Sequence, residues 1–113
     1  MLKFTKSFKI ILPKATNEQV ALDITPVIIK LSEAFGGATV TENNGYWVHE
    51  GVLYLDENSQ IECFYNDLDE KQHNAIREAV EFGFNTAEQL AITIELDGTT
   101  YILESVYDLG EVA

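Results

Sequence analysis

The residues best suited to acid–base chemistry near neutral pH are two histidines, His49 and His73. His73 falls on the polar face of a predicted helix, which is typical of a surface residue. His49 precedes Glu50, but the sequence identifies no serine or cysteine nucleophile with an oriented base beside it. We therefore predict that the protein is not an enzyme. The alternative is a small hydrolase-like activity in which His49 works with Glu50 or Asp56.

Metal ligation is the next chemistry to consider. Cys63 is the only cysteine, so neither an internal disulfide nor a paired-cysteine metal site is available. It alternates with Ile61 and Tyr65 along an apolar strand face, which predicts a buried, unreactive thiol. The acids at 67–70 lack the glycine and the distal glutamate of a calcium loop. We expect no metal and no cofactor.

The glycine- and aromatic-rich stretch from 35 to 47 is the most distinctive part of the sequence. Paired glycines at a helix end expose backbone N–H groups, and a tyrosine and the only tryptophan follow a third glycine. Together they could bind a planar ligand such as a nucleobase. The alternative is structural, with glycines that cap and turn the chain and a tryptophan packed in the core. The predicted ligand-binding residues are Gly36, Gly37, Thr39, Tyr46, Trp47 and His49.

The motif Phe-Gly-Gly-Ala-Thr followed by Gly-Tyr-Trp resembles a loose group of small uncharacterised proteins from bacteriophages and mobile elements. The resemblance covers roughly residues 30 to 66. It implies a phage-like origin, action in the host cytoplasm and a counter-defence role. On this basis we expect a non-enzymatic binding protein that sequesters a small, nucleotide-derived ligand.

Charge supports a second hypothesis. The 113 residues carry a net charge of −12, of which residues 1–14 contribute +4 from four lysines and residues 15–113 contribute −16 (3 − 19). Because phosphate binding depends on clustered cations, direct nucleic-acid binding and an anionic membrane surface are disfavoured. An acidic interaction module that blocks a basic surface of a host protein, or mimics a nucleic acid, is the alternative function.

The compartment follows from cysteine usage and hydropathy. Near the N-terminus the longest apolar run is 10–12, which is too short for a signal peptide. No apolar stretch approaches the roughly 18 residues that span a bilayer. Together with the lone cysteine, this predicts a cytoplasmic protein.

Hydrophobic periodicity sets the elements that position these residues. Residues 2–12 alternate like a half-buried strand, and residues 25–35 form a helical stripe with Thr25 as N-cap and Pro26 in the first turn. Residues 14–24 fit either a helical turn or an extended segment. Asn43-Asn44-Gly45 is a turn signal between two extended pieces, and residues 52–65 form either one long bent strand or a tight hairpin around 56–59.

The second half of the chain is clearer. Asp67 and Glu70 indicate the start of a helix that ends near Gly83. Residues 89–96 and 99–104 form a hairpin around Asp97-Gly98, the preferred two-residue turn.

This order predicts a single α+β domain over residues 1–113. The expected fold is a ferredoxin-like split β-α-β, a mostly antiparallel sheet with two helices on one face and an added C-terminal hairpin strand. The first strand or the terminal hairpin strand must be an edge, so a homodimer is a further prediction.

Overall fold

A computed structural model describes residues 1–112. Its element order is β1 (Lys6–Pro13), α1 (Thr25–Phe35), β2 (Thr39–His49), β3 (Val52–Tyr65), α2 (Glu70–Glu81), β4 (Ile92–Leu96) and β5 (Thr99–Leu103), with a π-helical turn at Phe82–Thr86 and a 3-10 helix at Val106–Glu111. The five strands form one sheet in the order β2-β3-β1-β4-β5, and every neighbouring pair is antiparallel. The predicted ferredoxin-like α+β fold, with its extra C-terminal strand, is confirmed.

Alternation along the strands builds the core. Phe8, Ile10 and Leu12 of β1 face the same side as Ile61 and Cys63 of β3, and all five are fully buried. The stripes of α1 and α2 cover this side, with Leu31, Ala79 and Val80 among the buried residues. Within residues 1–112, no helix covers the opposite side of the sheet. Lys9 lies there, 3.7 Å from Glu62 and 3.6 Å from Glu95.

Of the two strands predicted as a possible edge, the terminal hairpin strand β5 is an edge and the first strand is not. β1 pairs with β3 on one side and with β4 on the other, so the edges are β2 and β5. Lys9 on β1 is neutralised by carboxylates on both neighbouring strands, Glu62 and Glu95. With a strand on each side, β1 lies at the centre of the sheet, where Phe8, Ile10 and Leu12 are fully buried beneath the helices.

The turn predicted at Asn43-Asn44-Gly45 is wrong, because β2 runs through it without a break. Asn43 pairs with Asn58 and Gly45 with Asp56, in a continuous register. The chain reverses instead at Glu50-Gly51, where both residues have positive φ (51° and 77°). Of the two alternatives for residues 52–65, the structure therefore has one long strand.

Several smaller boundaries also differ. Residues 14–24 are neither helix nor strand but a loop with one isolated bridge, Ala15 to Ala21. The N-cap of α1 is Ile24 rather than Thr25. The N-cap of α2 is Asp69 rather than Asp67, since Asp69 and Gln72 form a reciprocal capping box. Within residues 89–96 the strand begins only at Ile92, while the Asp97-Gly98 turn is confirmed.

The most consequential feature is the unequal length of the strands. β1 ends opposite Asn58, so the rest of the β2–β3 hairpin extends beyond it. We call residues 44–57 the arm. It projects about 20 Å, at roughly 3.3 Å per residue, and contributes to an elongated shape of 48 × 27 × 26 Å.

Candidate functional site

The six residues predicted to bind a ligand lie at the two ends of β2. Gly36 caps α1 in a left-handed conformation, Gly37 follows it, and Thr39 opens the strand opposite Glu62. Tyr46, Trp47 and His49 lie in the arm. Eight residues of strand separate Thr39 from Trp47, a span of about 26 Å. One chain therefore does not bring the glycines and the aromatic residues into one pocket, and the binding role of each residue stays a prediction.

The arm nevertheless holds an ordered aromatic cluster on the side of the sheet away from the helices. The Trp47 ring stacks on Tyr54 with centroids 4.5 Å apart, and it lies 6.3 Å from His49 at a tilt of 47°. Its Nε1–H donates to Asp56 Oδ2 at 3.0 Å. Because Trp47 remains 48% exposed, the alternative of core packing is wrong.

Cross-strand register is what builds this cluster. Trp47 stands directly opposite Tyr54, and Gly45 stands opposite Asp56. Gly45 has no side chain, so the Asp56 carboxylate can reach the indole of Trp47 two residues along the neighbouring strand. Directly opposed aromatic pairs are among the favourable pairs across antiparallel strands.

A cleft of about 500 Å³ borders the cluster, between the loop that follows β1 and the outer half of β3. It arises because the loop leaves the sheet after Lys14 N–H donates to Glu57 O at 3.0 Å. Beyond that bond, β3 pairs with β2 on one side, and no strand in the described part of the chain pairs with its other side. The lining residues are Pro13, Lys14, Ala15, Thr16, Asn17, Gln19, Tyr54, Leu55, Asp56, Glu57, Asn58 and Gln89. The volume falls within the usual range for small-molecule sites.

The electrostatics of the cleft favour a cation. Among the residues that line it, the carboxylates of Asp56 and Glu57 outnumber the single ammonium group, Lys14. Lys14 is itself paired with Glu42, and the hydrogen bond and charge of that carboxylate raise the pKa of Lys14 above its ordinary value. A ligand with a positively charged centre is therefore better suited to this cleft than a phosphate.

The sequence prediction missed three residues that line the candidate site, namely Tyr54, Asn58 and Lys14. It includes Asp56 in a site only as a possible partner of His49. Of the two predicted partners of His49, Glu50 lies beside it, with 3.8 Å between His49 Nε2 and Glu50 Oε1. Asp56 stands four positions further along the hairpin and binds Trp47 instead. A signal was present in the sequence. Residues 52–65 contain neither glycine nor proline, which favours one continuous strand that carries Tyr54 and Asp56 on the same face.

The other reactive side chains lie elsewhere. Cys63 is fully buried, as predicted, and burial raises the pKa of its thiol to about 11. His73 is exposed on α2, also as predicted. Within residues 1–112 no three His, Cys, Asp or Glu side chains are grouped closely enough to hold a metal ion. In the same range, no helix combines the length and apolar character needed to cross a bilayer.

Comparison with known proteins adds one finding. No family model and no curated protein matches the chain. Two solved structures of a phage SAM lyase, one in complex with S-methyl-5′-thioadenosine and one in the apo state, share the fold. Each has a TM-score of 0.60 and 13% sequence identity over 93% of this chain, and the match covers 94% and 95% of the respective lyase chains.

This similarity extends over nearly the whole of both chains. At 13% identity the fold is what is shared. The prediction that the protein is not an enzyme is overturned, because the solved structures that share its fold and length are those of an enzyme. Many enzymes need no nucleophile with an oriented base, so the lack of such a pair in the sequence did not exclude catalysis.

Proposed function

We propose that this protein is a phage-type enzyme that binds S-adenosylmethionine and cleaves it to S-methyl-5′-thioadenosine. The observation that carries the proposal is the match of fold over more than nine-tenths of both chains to a phage SAM lyase. The cleft beside Tyr54 and Asp56 supports it independently. Its excess of carboxylates suits a ligand whose reactive atom is a cationic sulfonium.

The reaction can be written without a proton transfer. The substrate carboxylate oxygen attacks its own γ-carbon, the bond from that carbon to sulfur breaks, and the electron pair stays on sulfur. The products are neutral S-methyl-5′-thioadenosine and a five-membered lactone, with no water consumed. This chemistry requires the substrate to be held in a folded conformation, which is a matter of orientation rather than of general acids and bases.

In this proposal, different residues of the cleft bind different parts of the substrate. Tyr54, supported from behind by Trp47, offers an aromatic face to the adenine or to the sulfonium. The Asp56 carboxylate lies beside the sulfonium, and Lys14 is the cation nearest to the substrate carboxylate. The amide side chains of Asn17, Gln19 and Gln89, which also line the cleft, supply donors and acceptors for the base edge.

The role of Asp56 has a definite kinetic signature. Positive charge on sulfur disappears as the bond breaks, so a carboxylate beside it stabilises the bound substrate more than the transition state. We expect Asp56→Asn to raise KM about 10-fold or more while kcat changes much less. The measurement is a steady-state assay of S-methyl-5′-thioadenosine formation by chromatography and mass spectrometry.

Asp67→Asn is the matched control, because it removes the same charge from an exposed residue outside the cleft. Reaction in ¹⁸O-water identifies the route, since primary lactone contains no label and direct hydrolysis would introduce it. The proposal is wrong if S-adenosylmethionine binds without turnover, or if Asp56→Asn and Asp67→Asn behave alike.

The biological context remains part of the same proposal. Removal of a nucleotide-derived host metabolite by a phage-encoded enzyme in the host cytoplasm would serve counter-defence. Destruction of the ligand thereby takes the place of the ligand sequestration expected from the sequence, and the acidic surface needs no nucleic-acid mimicry to account for it.

A further inference from the structure

Gln89 is held at the wall of the cleft by an uncommon turn of the backbone. It follows the π-helical turn at Phe82–Thr86, in which Ala87 N–H donates to Phe82 O at 2.9 Å. Gln89 N–H then donates to Gly83 O at 3.1 Å, which ties the residue back to the same turn. Single π-helical turns occur frequently at functional sites. This one brings a half-buried glutamine to the wall of the cleft.

Close packing fixes this turn against the sheet. Gly83 is buried, and a Cβ atom added to it would overlap Cδ1 of Ile92 on β4, so no larger residue fits there. Ala87 is also fully buried. Glu88 has a φ of 56°, in the left-handed region that residues other than glycine seldom adopt. The backbone that carries Gln89 is therefore anchored before any ligand arrives.

The side-chain amide of Gln89 is oriented as well as anchored. Its Nε2 donates to Ala87 O at 3.1 Å. Because a carbonyl oxygen only accepts hydrogen bonds, this contact identifies which end of the amide is the nitrogen. Within residues 1–112, Oε1 of Gln89 accepts no hydrogen bond, and no side-chain nitrogen or oxygen is both buried and without a partner. Oε1 therefore reaches the surface at the cleft, as an acceptor that is still without a donor.

We propose that Oε1 of Gln89 accepts a hydrogen bond from the 6-amino group of the substrate's adenine, so that Gln89 selects a 6-aminopurine over a 6-oxopurine. This inference rests on the proposed function, because it concerns the base-binding part of the same cleft. A 6-oxopurine such as hypoxanthine presents an oxygen at that position, and two facing acceptors form no hydrogen bond. The amide cannot adapt by turning over, since that would place Oε1 against Ala87 O.

The other amide side chains of the cleft are less suited to this role. Asn17 and Gln19 are exposed, and within residues 1–112 their side chains make no hydrogen bond that would fix which atom faces a ligand. Asn58 Nδ2 donates to Asp56 O at 3.4 Å, so Asn58 lies beside the carboxylate assigned to the sulfonium. Gln89 is thus the amide that combines a fixed orientation with a position away from Asp56 in the sequence.

The test compares S-methyl-5′-thioadenosine with S-methyl-5′-thioinosine, its 6-oxo counterpart, as ligands of the full chain in isothermal titration calorimetry. We expect the native protein to bind the adenosine compound about 10-fold or more tightly, because the inosine compound leaves a desolvated acceptor without a donor. Equal affinities overturn the role of Gln89 and leave the proposed function standing. Binding of neither compound also overturns it, and the cleavage assay of S-adenosylmethionine then decides whether the proposed function falls with it.

A variant assigns the preference to Gln89. Gln89→Met keeps the length of the side chain without its amide, so we expect it to bind the two compounds within about 2-fold of each other. Gln60→Met is the matched control, because Gln60 is also a half-buried glutamine but lies outside the cleft, and it should keep the native preference. A native preference in Gln89→Met overturns the inference. The comparison on the native protein needs no variant, so it holds even if Gln89→Met does not fold.

Discussion

Side chains alternate between the two faces of the sheet along the whole of β3, but the two halves of this strand differ in what covers them. In the inner half, 58–65, one face is buried under the helices, with Ser59, Ile61, Cys63 and Tyr65 at most 5% exposed. In the outer half, 52–57, the corresponding Leu53 and Leu55 remain 64% and 50% exposed. The difference lies in the neighbouring elements. β1 pairs only with the inner half, and α1 packs over that half of the strand. Alternation therefore identifies a strand but does not say what covers it.

The largest expected effect is on stability, and it separates the two halves directly. Ile61→Ala removes a fully buried side chain, so we expect the free energy of unfolding to fall by about 2–5 kcal/mol. Leu55→Ala in the arm should change it by less than about 0.5 kcal/mol. Urea denaturation followed by circular dichroism measures both. Equal losses would mean that the arm belongs to the cooperative core.

A second comparison uses the buried thiol of the inner half. Burial raises the pKa of Cys63 from an ordinary value of 9.0 to about 11, so between these values the folded protein holds a proton that the unfolded chain releases. The contribution of the protonated Cys63 thiol to the free energy of unfolding is complete below pH 9 and is lost as the pH rises toward 11. We expect the free energy of unfolding to decline more steeply over this range in the native protein than in Cys63→Ala. Parallel slopes for the two proteins would contradict this account.

The smallest effect concerns ion pairs. Lys9 lies between Glu62 and Glu95 with its side chain 29% exposed, whereas Lys14 beside Glu42 at the base of the arm is 44% exposed. We expect Lys9→Met to change stability by at most about 1 kcal/mol, a typical upper value for partly solvated pairs. The change should shrink in 1 M salt. A large effect that is insensitive to salt would point to packing of the lysine stem.

Local sequence patterns predict the structure correctly where the surrounding fold does not override them. Asp97-Gly98 predicted its hairpin because both residues adopt the left-handed conformation that this turn requires. Asn43-Asn44-Gly45 carried an equally good turn signal, and pairing with β3 overrode it. The true turn uses Glu50 at a positive φ, for which glutamate gives no signal.

The candidate site was harder to predict for a related reason. Trp47 and Tyr54 were both visible in the sequence, but their stacking depends on the register of the hairpin and therefore on where the chain turns. A turn at 43–45 pairs Trp47 with neither Tyr54 nor Asp56, so these contacts do not follow from the predicted turn. The cleft depends further on where β1 leaves the sheet, and this is a property of the whole fold.

The central position of β1 has a consequence for how the protein comes into being. The first strand to be synthesised pairs with β4, and the Phe8–Leu96 pair spans most of the chain. Contacts between residues so distant in sequence slow folding, because a long loop must close before they form. On the ribosome, β1 must wait for β4 to emerge, so one side of its backbone stays available to wrong partners until synthesis is nearly complete.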